Sequence, residues 1–197
     1  MKKIKAILCD FDGTLVDENG QYLPEVKTLI KKILNKNVRF SLATGRAHYS
    51  MIGRMEKELS IQGIHILHGG AMIFDSITNK ILFLESISDE SKHKIIRYFL
   101  DKKLLFSLEA KNSVYVSKIL KNDRHYTEIL NQSFSQYKDN EQILKMVIWA
   151  KANELSEDAI KLHLNNLQKK CSDISMHKFN IFGFYGADIT SEKATKH

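Results

Sequence analysis

The sequence predicts an α/β protein, with a Rossmann-like parallel-sheet core interrupted by an inserted α+β domain. Three observations carry this. Short apolar segments alternate with amphipathic helical stripes in strand–helix–strand–helix–strand order up to Gly70, which requires crossover connections and parallel pairing. After Gly70 the pattern changes to hairpins and separate helices, the signature of an α+β arrangement. The first strand also ends on a pair of closely spaced aspartates, where open α/β sheets place their ligands.

Ile4–Cys9 reads as the first strand, its centre Ala6-Ile7-Leu8-Cys9 apolar on both faces, as in a covered parallel sheet. A polar, turn-prone stretch from Asp10 to Gln21 follows. Pro24 opens a helix running to Asn35, where Val26, Leu29, Ile30, Ile33 and Leu34 form one apolar stripe. Asn37 is its expected stop. Val38–Ala43 is the second strand; Ala47, Met51, Met55 and Leu59 mark the next helix, and Ile64–Leu67 the third strand. Ala71–Phe74 and Lys80–Leu84 are expected to form a hairpin around Asp75–Asn79. A helix over Asp89–Lys103, strands over Leu105–Glu109 and Ser113–Ser117, and a weaker helical stretch over Arg124–Phe134 come next. Lys145–Ala150 reads as a strand, Ser156–Lys170 as a helix, and Ile174–Phe179 and Asn180–Tyr185 as strands. The inserted domain is therefore placed over residues 84–183, dividing a core of residues 1–83 and 184–197.

Composition narrows the function classes. The 197 residues are 43% hydrophobic and 27% charged, with one Pro and nine Gly, an ordinary globular balance without a Pro/Gly linker. No apolar run is long enough to span a bilayer, and Met1-Lys2-Lys3 is followed by no signal-type segment, so a cytoplasmic protein without membrane association is expected. Cys9 and Cys171 are the only cysteines and read as reduced thiols, Cys9 as strand packing. The net charge is +7. Its lysine pairs, Lys31-Lys32, Lys102-Lys103 and Lys169-Lys170, fall on solvent sides of separate helices, so no nucleic-acid partner is expected; a basic surface also gathers anionic substrates. His65 and His68 form no metal-ligand spacing and read as loop or strand-end residues, and Trp149 as core.

Asp10-Phe11-Asp12-Gly13-Thr14 is the most informative stretch. In extended chain, residues i and i+2 point the same way, so Asp10 and Asp12 project together. Two such carboxylates repel unless a cation lies between them, and hard oxygen ligands suit Mg²⁺. Gly13 allows a sharp turn and close approach to a ligand. The competing reading is an Asp-rich turn after a strand, since Asp favours turns. Thr44 likewise has an ordinary role as a strand-end or capping residue.

This pentapeptide resembles the D-x-D-G-T signature of the haloacid-dehalogenase superfamily. Ala43-Thr44-Gly45-Arg46 resembles the second motif of its Cof-type sugar-phosphatase branch. His68-Gly69-Gly70-Ala71 stands in place of that branch's N-G-A loop, with Gly69 where Asn is usual. The insertion is similar in place and size to the branch's cap domain, and Asp188–Lys196 is similar to the segment carrying the third-motif lysine, with Lys196 the better fit. The resemblance implies Asp10 as nucleophile, Asp12 as acid and base, and Mg²⁺ held by the Asp10 carboxylate and the Asp12 carbonyl. It further implies phosphate contacts from Gly13, Thr14, Thr44, Gly45, Arg46 and Lys196, with a small phosphorylated metabolite as substrate and its selection in the cap. The fourth-motif G-D-x-x-N-D loop has no counterpart before the chain ends at His197. The core is therefore expected to be incomplete at its C-terminus, with activity reduced to little or none and a tendency to self-associate. The alternative is a catalytically impaired fragment acting in binding or interaction.

Overall fold

A computed structural model describes residues 3–22, 24–118, 131–181 and 184–195. It divides into two compact units, Met1–Leu84 and Glu85–His197. Among the described residues no helix is long and apolar enough to cross a membrane.

In the first unit, β1 (Ala6–Cys9) runs parallel to β2 (Arg39–Leu42), with Ala6 opposite Arg39 and Cys9 opposite Leu42. The crossover is α1 (Pro24–Leu34), with Pro24 in its first turn and Lys31 and Lys32 in its last, where cations favour the helix dipole. Asn37, at φ 55°, provides the expected left-handed stop. Ile30 is buried while Leu29 stays about half exposed, so the apolar stripe is only partly covered.

The helix expected after β2 is built in two parts. His48–Ile52 forms a wide π-type turn and α2 covers Gly53–Leu59. Gly53 donates to the His48 carbonyl, and a Cβ there would lie 3.3 Å from that oxygen. A glycine thus lets the turn widen without crowding. β3 (Ile64–Leu67) meets the end of β2 through a parallel bridge, Ala43 to Ile66, and continues antiparallel to β4 (Met72–Asp75) and β5 (Lys80–Leu84). The β4–β5 turn closes on Asp75, which accepts from the Ile77 amide at 3.0 Å and the Thr78 hydroxyl at 2.7 Å. Phe11, Leu42, Ile52, Leu59, Ile61 and Leu67 have no exposed surface and form the core. Among the described residues β1 pairs with β2 alone, and Ile4 and Leu8 are largely exposed.

The second unit is a six-stranded sheet in the order β10-β11-β9-β6-β7-β8. The strands are β6 (Phe106–Ala110), β7 (Val114–Val116), β8 (Asn131–Ser133), β9 (Ile143–Trp149), β10 (Ile174–Ile181) and β11 (Phe184–Ser191). Its helices are α3 (Asp89–Asp101) and α4 (Glu157–Gln168). Each is capped by a serine hydroxyl: Ser88 accepts from the Ser91 amide, and Ser156 from the Ala159 amide. Ile95 and Phe99 of α3 and Ile160 and Leu167 of α4 share one core with Phe106, Leu108, Met146, Ile148, Ala187 and Ile189 of the sheet.

Two expectations change here. The helix expected over Arg124–Phe134 lies mostly outside the described residues, and Asn131–Ser133 is a strand followed by a 3₁₀ turn at Phe134–Gln136. The expected boundary at 183/184 falls between β10 and β11, which pair antiparallel from Ile174–Ser191 to Ile181–Phe184. Residues 184–191 therefore belong to the second unit's sheet, because Ala187 and Ile189 are fully buried in its core. Gly186 marks a close crossing: a Cβ there would stand 2.5 Å from the Ile148 carbonyl and 2.7 Å from the Phe179 ring.

Candidate active site

β1 ends at Cys9, and the chain turns at once. The Phe11 carbonyl accepts from the Leu15 amide at 2.9 Å and the Val16 amide at 3.2 Å, while the Gly13 amide donates to the Val16 carbonyl at 3.0 Å. Gly13 sits at φ 75°, a conformation that costs other residues strain. Phe11, with no exposed surface, anchors the loop, leaving Asp10 exposed and Asp12 half-buried. One Asp10 oxygen accepts from the Phe11 amide at 2.7 Å. The Gly13 and Thr14 amides are taken up inside the turn, the latter by the Phe11 carbonyl at 3.4 Å. Thr14 is exposed.

The second loop leaves β2 directly opposite. Thr44 is buried, and its Oγ1 accepts from the Arg46 amide at 3.1 Å. That bond uses the oxygen as acceptor and leaves the hydroxyl hydrogen as a donor. The Arg46 guanidinium grips Asp12 in a two-pronged contact: Nε donates to Oδ2 at 2.8 Å and Nη2 to Oδ1 at 2.7 Å. Arg46 also lies over the Phe11 ring at 5.5 Å, a cation–π contact. Arg46 was expected to contact phosphate; the structure places it on Asp12, 34 residues away in sequence. The third loop joins these two: the His68 amide donates to the Arg46 carbonyl and the Gly69 amide to the Thr44 carbonyl, each at 3.1 Å. His68, Gly69 and Gly70 all carry positive φ, which explains the paired glycines. Asp10, Asp12, Gly13, Thr44, Gly45 and Arg46 thus lie on loops of one unit, while Lys196 falls outside the described residues.

Sequence reasoning missed the support beneath Thr44. The sequence alone suggests a strand-end or loop position for His65; it sits within β3 with no exposed surface. Its Nδ1 accepts from the Leu42 amide at 3.0 Å, tying β3 to the end of β2. Nδ1 is thus the accepting nitrogen, and Nε2 lies 2.9 Å from Glu56 Oε1 and 3.4 Å from the Ser76 hydroxyl. His48 Nε2 lies 3.2 Å from the other Glu56 oxygen. Burial alone would push the Glu56 carboxyl up. The neighbouring His48 and His65 rings outweigh burial and hold it down at about 2. The signal in the sequence is Glu56 on the inward side of α2 beside Met55 and Leu59, where an ionisable residue needs partners.

A carboxyl lowered on folding stabilises the folded state above its ordinary value of 4.5, and that contribution is lost as pH falls from 4.5 through about 2. It is on the order of 3 kcal/mol. Glu56→Gln is expected to lower the melting temperature at neutral pH and to flatten its fall between pH 4.5 and 2. Parallel melting-versus-pH curves for parent and variant would show that no such tie exists.

The acidic groups can be tested against a divalent metal. One Asp10 oxygen is engaged by a backbone amide and the Asp12 carboxylate by Arg46. No cluster of three or more His, Cys, Asp or Glu side chains able to hold a metal occurs among the described residues. Mg²⁺ is commonly held by one or two carboxylates with several waters retained. The Asp10 carboxylate and the Asp12 main-chain carbonyl fit it in kind, though few in number.

Comparison with known proteins follows the same line. A protein of Buchnera aphidicola subsp. Baizongia pistaciae named "Putative phosphatase" is 31% identical over 134 residues, covering 66% of this chain and 46% of that protein. One of the same name from Mycoplasma pneumoniae is 28% identical over 116 residues, covering 59% and 39%. The matched regions span less than half the length of these curated relatives. Among solved structures, a haloacid dehalogenase-like hydrolase from B. subtilis superposes with a TM-score of 0.80 at 15% identity, over 98% of this chain and 75% of that one. A subclass IIB sugar phosphatase superposes with a TM-score of 0.75 at 18% identity, over 98% and 72%. At those identities the likeness is one of fold. The family model for haloacid dehalogenase-like hydrolases, however, matches residues 7–197, and to that family the chain belongs.

Proposed function

We propose that the chain carries the catalytic loops of a Mg²⁺-dependent phosphatase acting on phosphate monoesters of small metabolites, sugar phosphates foremost. The observation that carries this reading is the cluster at the end of β1: exposed Asp10, Asp12 gripped by Arg46, and buried Thr44 with a hydroxyl hydrogen to donate. The names of the relatives support the same class.

In this reading an Asp10 oxygen attacks phosphorus, the phosphorus–ester oxygen bond breaks, and Asp12 gives its proton to the departing alkoxide. Water then attacks the phosphorus of the aspartyl-phosphate, Asp12 takes its proton, and inorganic phosphate leaves with Asp10 restored. Thr44 donates to a phosphoryl oxygen. Bound Mg²⁺, held by Asp10 and the Asp12 carbonyl, offsets negative charge on nucleophile and phosphate. Lys196 is proposed to add positive charge, and Thr14 and Gly45 to line the phosphate.

The Arg46 fork adds a requirement. The fork occupies both Asp12 oxygens, whereas an acid–base group needs one of them to exchange a proton with the leaving group. A phosphate dianion competes for the same guanidinium. Its arrival draws Arg46 partly off Asp12, with Nη1 the further donor, and so frees an Asp12 oxygen toward the leaving group.

We assign the first unit to chemistry and the second to the choice of ester. A panel of phosphate esters assayed with Mg²⁺ and with chelator tests both. The parent should release phosphate only with Mg²⁺, and a chimera carrying residues 85–191 of a related phosphatase should change its preferred ester while keeping that requirement. No Mg²⁺-dependent release from any ester would overturn the phosphatase reading. A preference that stays with the first unit would overturn the division of roles.

A further inference from the structure

The second loop of the site, from Leu42 to His48, is tied at both ends to one carboxylate. At its start the Leu42 amide donates to His65 Nδ1 at 3.0 Å, and the far side of that ring, Nε2, lies 2.9 Å from Glu56 Oε1. At its end His48 Nε2 lies 3.2 Å from Glu56 Oε2. Thr44 and Arg46 stand between these points, each two residues from a tied one.

The partners are themselves firmly held. Glu56 is 4% exposed and His65 not at all, and the Ser76 hydroxyl lies 3.4 Å from the same His65 nitrogen. The His48 ring lies against Phe74, the centroids 4.2 Å apart. His48 also opens the widened turn, whose closing bond runs from the Gly53 amide to the His48 carbonyl. Turns of this kind recur at functional sites. Packing alone does not call for a charge here. An apolar side chain beside buried Met55 and Leu59 would avoid the cost of desolvating a carboxylate. What the carboxylate adds is a second accepting oxygen, so that each oxygen faces a different ring.

We propose that Glu56 is a positioning residue for the site: through His48 and His65 it fixes the loop that carries Thr44 and Arg46. Between the tied ends, the Thr44 and Arg46 carbonyls accept from the Gly69 and His68 amides. Main chain thus holds the middle of the loop, and Glu56 holds its ends. Release of the ends shifts the Thr44 hydroxyl and the Arg46 fork together, because Thr44 Oγ1 accepts from the Arg46 amide. A misplacement of about 1 Å at a positioning group costs up to ~10²-fold in rate. That this loop receives a phosphate rests on the phosphatase reading; the tie itself does not.

The test uses Glu56→Gln, His48→Phe and His48→Gln, each assayed well below its melting temperature. Glu56→Gln keeps the size but offers one accepting oxygen for two rings. His48→Phe keeps a ring against Phe74, removes the nitrogen and leaves the buried Glu56–His65 contact alone, which covers the case of Glu56→Gln folding poorly. His48→Gln returns an N–H donor to the end of the side chain and should restore the parent's behaviour. Glu56→Gln and His48→Phe are expected to raise KM for a phosphate ester and the inhibition constant of inorganic phosphate together, roughly tenfold, with kcat within about threefold of the parent. By NMR, the backbone amides of Thr44, Gly45 and Arg46 should move in both variants and return in His48→Gln. A purely structural role lowers kcat through the folded fraction and leaves KM alone. That pattern, loop amides unmoved in both variants, or no recovery with His48→Gln overturns the proposal. A parent that hydrolyses no ester defeats the phosphatase reading instead, and the loop amides then decide this one.

Discussion

An Asp10→Asn variant is expected to lose phosphate-ester turnover almost completely, because the amide cannot take the place of the attacking oxygen. Removal of a covalent nucleophile from an otherwise intact site costs about 10⁶-fold in a well-studied hydrolase, and a loss approaching that size is expected here. The position supports so large an effect. Asp10 is the first residue beyond β1, exposed, with one carboxylate oxygen committed to the Phe11 amide and the other left for phosphorus or metal. Beryllofluoride, which mimics an aspartyl-phosphate, should add to the parent at Asp10 in the presence of Mg²⁺ and not to the variant. That measurement reads the nucleophile without requiring turnover. A variant that hydrolyses esters at a rate near the parent's sinks the assignment.

The second large effect is expected at Asp12. Asp12→Asn should reduce turnover by about 10²–10⁴-fold, the usual range for loss of a general acid–base group. The Asn side chain is close in size and can still accept from Arg46 through its carbonyl, so the loop should keep its shape. Mg²⁺ affinity should persist, since the proposed metal contact at this residue is the main-chain carbonyl. The loss should be larger for alkyl phosphates, whose leaving group needs a proton, than for 4-nitrophenyl phosphate, whose leaving group does not. Equal rates in parent and variant with both esters would remove Asp12 from this role. Loss of Mg²⁺ binding in the variant would instead place its carboxylate on the metal.

What could be read from the sequence divides along physical lines. β1, α1, β2 and β3 follow from apolar periodicity, a local signal, and the placing of Asp10 directly after β1 follows from where that apolar run stops. Arg46 on Asp12 and His65 on the Leu42 amide join residues 34 and 23 positions apart, and nothing local announces them. The end of the second unit was misplaced for another reason. Ala187 and Ile189 alternate with Asp188 and Thr190 as a half-polar strand should. Asp188-Ile189-Thr190 satisfies both that alternation and the third-motif pattern, so two local signals compete over the same residues. The π-type turn at His48–Ile52 was invisible because Ala47, Met51, Met55 and Leu59 satisfy an ordinary helix equally well.

The strand order of the second unit has a consequence for how it is made. β6 and β7 lie three residues apart in the chain and β10 and β11 two, so each pair can close as a local hairpin within about 1–10 μs. Neither hairpin can complete the sheet alone. β9 is the keystone, pairing with β11 on one side and β6 on the other, and it is separated from both hairpins by long stretches of chain. Its arrival is the slow, non-local step. Until then, Ile-Leu-Lys-Met-Val-Ile-Trp is an unpaired β-forming segment without proline, the kind that associates between molecules. Its single charge is Lys145. The ammonium that the folded protein places 3.1 Å from Glu109 and 3.8 Å from Asp188 is therefore also the residue that guards the unfolded chain against aggregation during refolding.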